Sequence, residues 1–76
     1  MPRKRSETTI AFGAAVRALR VERGFAQEAF AAHADMDRSY YGAIERGEFN
    51  VSLETIVRLA DALGVSVAEI LRRAEL

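Results

Sequence analysis

The chain has 76 residues, half of them hydrophobic, with 11 basic and 11 acidic side chains and no cysteine. That length makes one small domain with a marginal core, the kind that oligomerisation often supplements. The missing cysteines exclude disulfides and thiolate metal sites; no apolar run approaches the roughly 20 residues that span a bilayer; and the basic N-terminus lacks a signal peptide's apolar stretch, so the sequence reads as cytoplasmic.

Residues 1–8, with Arg3-Lys4-Arg5, are expected to form a flexible basic arm, and residues 9–76 the folded domain. Hydrophobic spacing is helical from there on, and no stretch alternates with the two-residue period of a strand. A first helix is predicted from Thr9 to Arg23, with Gly24 as its stop. Phe25 and Phe30 then stand at staple spacing around Ala26, a poor N-cap that costs about 1 kcal/mol against Ser, and the second helix runs from Gln27 to Ala34. Met36 and Tyr41 repeat the staple around Asp37, a good cap, for a third helix from Arg38 to Arg46 that stops at Gly47. Val51 and Ile56 repeat it around Ser52 for a fourth, Leu53 to Leu63, stopped by Gly64. In "SVAEI", Ser66 and Glu69 form a capping box inside the staple of Val65 and Ile70. The fifth helix runs from Val67 to about Ala74. The prediction is an all-α, compact five-helix bundle.

The second and third helices are short and joined by few residues, so they must cross steeply as a helix-turn-helix over about residues 27–46. Apolar residues stand where the two helices would touch: Phe30, Ala34, Met36, Tyr41 and Ile44. The segments "RGFAQEAF", "AIERGEF" and "LADALG" follow in order and at fixed spacing. On these the chain, from about Phe12 to Leu71, resembles the phage repressor and Cro family of Xre-like regulators, whose fold is the lambda-repressor-like DNA-binding domain. Its size and "DRSYYGAIERGEFNVSL" further resemble the controller proteins of restriction-modification systems. Four positions depart from the family pattern: Ala26 stands where Ser or Thr is usual, Asp35 where the tight turn usually has Gly, Tyr41 where Ile or Val is common, and Phe49 where the loop often has a basic residue.

Around the third helix, Tyr41 and Ile44 share the core side while Arg38, Ser39, Gly42 and Ala43 face outward, with Tyr40 flanking the core. Small residues and a first-turn arginine suit a helix pressed into the DNA major groove. The resemblance places base contacts at Arg38, Ser39 and Ala43. Chemically, Arg38 suits guanine O6 and N7, Ser39 suits either kind of base, and Ala43 suits a thymine methyl. Gln27 at the start of the second helix, with Tyr40, Arg46 and Asn50, is expected on phosphates. The resemblance also implies a structural ion pair between Arg20 and Glu45. A homodimer on a palindromic operator is expected, its isologous interface built from Val67, Ile70, Leu71 and Leu76 around the fifth helix. Among the acids Glu22, Glu28 and Glu54, the resemblance implies a contact with RNA polymerase for Glu28.

A single histidine, His33, cannot supply a nucleophile–base pair or a metal-ligand set, and no Gly-rich phosphate loop is present. The reading is therefore no enzyme, no cofactor and no metal. The zero net charge splits into +4 over residues 1–24, with six basic and two acidic, and −4 over residues 25–76, with five and nine. This neutrality keeps two alternatives open: a protein-interaction module on the same fold, or an antitoxin-type regulator whose main partner is another protein.

Overall fold

The computed structural model describes residues 5–76, so Arg3 and Lys4 of the expected arm lie outside the described residues. Five helices follow in order: α1 Glu7–Glu22, α2 Gln27–His33, α3 Arg38–Glu45, α4 Leu53–Leu63 and α5 Val67–Arg73. In four of the five, the residue expected to be the last helical one is instead the C-cap. Helix α1 begins two residues before the expected Thr9, which removes Glu7 and Thr8 from the arm of residues 1–8. The cause is a cap that lay unrecognised: Ser6 accepts the Thr9 N–H, and the Thr9 hydroxyl oxygen accepts the Ser6 N–H.

Asp37, Ser52 and Ser66 each cap their helix with a side-chain oxygen, whereas Ala26 makes no such bond. Asp35, in the turn between α2 and α3, takes a left-handed backbone at φ +58°, the conformation that usually favours glycine. The Met36 N–H bonds back to the Ala31 carbonyl and closes that turn.

Helix α1 is the axis of the bundle and packs on α3, α4 and α5. Val16, Leu19, Phe30, Tyr41, Ile44, Leu59 and Ile70 are its largest fully buried side chains. Two glycines set how closely α1 and α3 approach. A Cβ at Gly13, inside α1, would lie 2.3 Å from the Ile44 carbonyl oxygen. Gly47 has φ +76°, and a Cβ there would lie 2.7 Å from the Ile10 Cα, so both backbone angle and space require glycine. The Thr9 hydroxyl then donates to the Gly47 carbonyl at 2.7 Å, tying the start of α1 to the end of α3.

Ile70 does not lie at an open interface, as expected from its place on α5. It is fully buried against the core of its own chain, because the cap and staple at Ser66 turn its face of α5 inward. Val67 and Leu71 are half-buried and Leu76 is exposed.

Candidate nucleic-acid interface

Helix α3 presents its first turn to solvent and keeps its later residues inside. The side chain of Arg38 is 65% exposed, and Ser39 beside it is exposed as well. Together with Gln27, Gly42 and Arg46 they line a shallow polar depression between the start of α2 and the outer side of α3.

Two residues expected to face outward do not. Ala43 is only 5% exposed. After Gly47, at φ +76°, the chain turns back and the Glu48 N–H bonds the Ala43 carbonyl, which closes the end of α3. Gly42 is buried beneath two side chains: a Cβ there would stand 3.2 Å from Arg46 Nη1 and 3.3 Å from Gln27 Oε1. The floor of the depression is therefore bare backbone, and its walls are Gln27 and Arg46.

The expected phosphate-contacting residues are placed in different settings. Gln27 spends its amide N–H on Glu45 Oε1 at 2.9 Å, so its side chain is committed inward. Arg46 lies on the opposite rim, its Nε 2.7 Å from Glu48 Oε2, and that bond raises its pKa. Tyr40 is half-buried with its ring 5.2 Å from that of Phe49, and Asn50 is exposed in the loop beyond.

Behind the reading helix lies a closed polar cluster. Arg20 of α1 donates to Glu45 of α3 through Nε at 2.7 Å and Nη2 at 3.2 Å, and through Nη1 to the Phe25 carbonyl at 2.7 Å. The buried Tyr41 hydroxyl donates to Glu45 Oε2, the oxygen that also accepts from Arg20 Nε. Burial pushes the Glu45 carboxyl up, but hydrogen bonds from Arg20, Tyr41 and Gln27 outweigh it and hold it below the usual carboxylate range. The bond to Glu45 raises Arg20 against the opposing effect of burial, and burial raises the Tyr41 phenol. No buried side-chain polar atom among the described residues lacks a partner, so the cluster holds α3 to α1 without an orphaned group.

The exposed acids are also engaged. Glu22 forms a two-bond pair with Arg73, at 2.6 and 3.1 Å, and those bonds lower its pKa. Glu28 lies on Arg38, with Oε2 3.2 Å from Nε. The sequence carried no sign of that last pairing, because it forms across the turn. Gly13 did leave a signal: glycine inside a helix costs about 1 kcal/mol against alanine and so marks a close approach. No group of three or more potential metal ligands occurs among the described residues, and no described helix is long and apolar enough to cross a membrane.

Two short helices crossed at a tight turn, the second with an exposed arginine in its first turn and a rigid anchor behind it, make a DNA-binding helix-turn-helix protein. The comparisons with known proteins carry this to a family. The helix-turn-helix profile HTH_3 matches residues 16–70. The control protein C.MunI of Mycoplasma is 39% identical over 66 residues, covering 86% of this chain and 89% of its own. The restriction-modification controller protein C.AhdI from Aeromonas hydrophila superposes with a TM-score of 0.78 at 44% identity, over 82% of this chain and 94% of that one. The immunity repressor of Bacillus phage phi105 is 41% identical over 58 residues, which are 76% of this chain but only 40% of that repressor. The chain belongs to the Xre-like helix-turn-helix family of DNA-binding transcription regulators.

Proposed function

We propose that this chain is a sequence-specific transcription regulator of the controller-protein kind, which reads a palindromic operator as a homodimer and acts on its own gene. The observation that carries the reading is the first turn of α3. Arg38 and Ser39 stand exposed at the lip of a polar depression whose floor is the backbone of Gly42. A guanidinium there can reach guanine O6 and N7 from the start of a helix laid in the major groove. Arg46 on the rim, and Asn50 exposed in the loop beyond, suit phosphates. Ala43, buried in α3, is left out of the proposed base contacts.

One such unit covers few base pairs, so a second copy related by a two-fold axis would place two reading helices about 34 Å apart. An apolar depression lined by Phe12, Val51, Ile56, Leu71 and Leu76 supports a dimer face. Leu53 and Val57, one turn apart on α4, extend that apolar character with exposures of 72% and 43%. The proposed face thus keeps Leu71 and Leu76, drops Ile70 and adds α4. Sedimentation should give a dimer at tens of micromolar, on the order of a typical weak association, and Leu53→Glu with Leu76→Glu should give a monomer. A wild type that sediments only as monomer, with and without DNA, would remove this part of the proposal.

The test of the reading itself is selection of sites from a random duplex library, followed by fluorescence anisotropy on wild type and Arg38→Ala. Salt should be about 100 mM and then about 200 mM, because affinity to DNA has meaning only at a stated salt concentration. A recovered palindrome at which Arg38→Ala loses about 1–3 kcal/mol of discrimination at a guanine is the expected result. No enrichment and no binding at either salt would sink it, and would leave the protein-interaction module as the reading to pursue.

A further inference from the structure

We propose that Glu28 is a specificity-determining residue, one that neutralises the charge of Arg38 and so biases this arginine toward the uncharged edge of a base and away from phosphate. The inference rests on the reading of α3 as the DNA-reading helix. Glu28 stands in the first turn of α2, beside Gln27, and Arg38 opens α3, so their contact bridges the two helices of the unit. Glu28 Oε2 lies 3.2 Å from Arg38 Nε. No hydrogen bond among the described residues engages Arg38 Nη1 or Nη2. The carboxylate thus approaches at Nε, the base of the fork, while the two terminal nitrogens carry no hydrogen bond among the described residues.

The two acceptors that DNA offers to this fork differ in charge. A phosphate attracts an arginine mainly through its full negative charge, and every sequence presents phosphates alike. A guanine presents O6 and N7, neutral acceptors whose attraction depends on bond geometry. A carboxylate within one Debye length, about 10 Å at 0.1 M salt, repels the phosphate but leaves the two hydrogen bonds to guanine intact. This raises the ratio of specific to non-specific affinity. Arg46, on the opposite rim, is likewise paired with an acid, its Nε hydrogen-bonded to Glu48 Oε2 at 2.7 Å. This arrangement explains how a family member with zero net charge has a DNA-facing helix with two arginines and no surplus of positive charge around them.

Glu28 and Arg38 are 70% and 65% exposed, so replacing the acid leaves the core untouched. The experiment compares the full chain and Glu28→Gln on the selected operator and on a random duplex of equal length, across a salt series. Glu28→Gln should bind the random duplex roughly three- to tenfold more tightly at about 50 mM salt, with a salt slope steeper by about one. Operator affinity should not rise with it, so that discrimination falls at least threefold. In an Arg38→Ala background the same change should cause no further loss of discrimination, since the acid acts through that arginine. Equal gains on both duplexes, or no change on either, would overturn the inference and leave the DNA-reading function standing. A wild type with no preference between the duplexes would overturn the function as well. Thermal melts of each variant separate these outcomes from misfolding, and Glu28→Ala provides a second neutral replacement.

Discussion

Helix α3 has an arginine–glutamate pair behind it and another in front, and the two differ in nearly every physical respect. Arg20–Glu45 is enclosed, with side-chain exposures of 8% and 3%, and its carboxylate also accepts from Tyr41 and Gln27. Arg38–Glu28 lies in solvent at 3.2 Å with neither side chain otherwise fixed. An enclosed pair is hard to break because either partner alone is an uncompensated buried charge. An exposed pair is worth little to the fold and can be exchanged for another acceptor. The lesson is that one residue combination serves as an anchor or as an adjustable contact according to the water around it.

The largest effect that could break this comparison comes from the anchor. Glu45→Gln should cost about 3–5 kcal/mol in urea unfolding, because Arg20 keeps its charge without a buried counter-charge. A loss under about 1 kcal/mol would show that the two pairs are equivalent. Acid should act through the same carboxyl. Its folded pKa is depressed, so the stabilisation is complete above the unfolded value of about 4.3 and is lost as pH falls through the lower folded value. Wild type should therefore lose more stability than Glu45→Gln across that acid range, as equilibrium unfolding at stepped pH would read. Next in size, Gly13→Ala should cost about 1–3 kcal/mol, seen as a lower Tm, since its Cβ meets backbone that cannot move without shifting α3. Ala26→Ser should return about 1 kcal/mol by supplying the missing cap of α2. Smallest of all, Arg38→Ala should leave unfolding within about 0.5 kcal/mol of wild type, its effect confined to DNA discrimination.

The helices were legible because their signals are local. Asp37, Ser52 and Ser66 each bond an amide three residues on, and the staples and glycine stops sit within one turn of them. Even the misplaced start of α1 was a local matter, since the Ser6–Thr9 box that sets it lies within one turn. What the sequence left dark depends on residues far along the chain. Ala43 is buried on a side of α3 that its spacing put outward, whereas the inward turn of Ile70 was already written in its staple with Val65. Likewise, Gln27 has its side chain drawn toward a glutamate 18 residues later, and Glu28 faces an arginine on the other helix of the unit. Charge and residue type name the members of an interface, but tertiary contacts decide which way each one points.

The bond from the Thr9 hydroxyl to the Gly47 carbonyl spans 38 residues, and that from Arg20 to Glu45 spans 25. With Gly13 set against the Ile44 and Glu45 carbonyls between them, they hold the C-terminal end of α3 against three points along α1. A nascent chain consequently gains its reading surface only when these distant contacts close, late and all together. Amides of the last turn of α3 should then exchange with solvent hydrogen only through global unfolding. The amount of active regulator in a cell would follow the folded fraction directly, with no half-ordered species that grips DNA loosely.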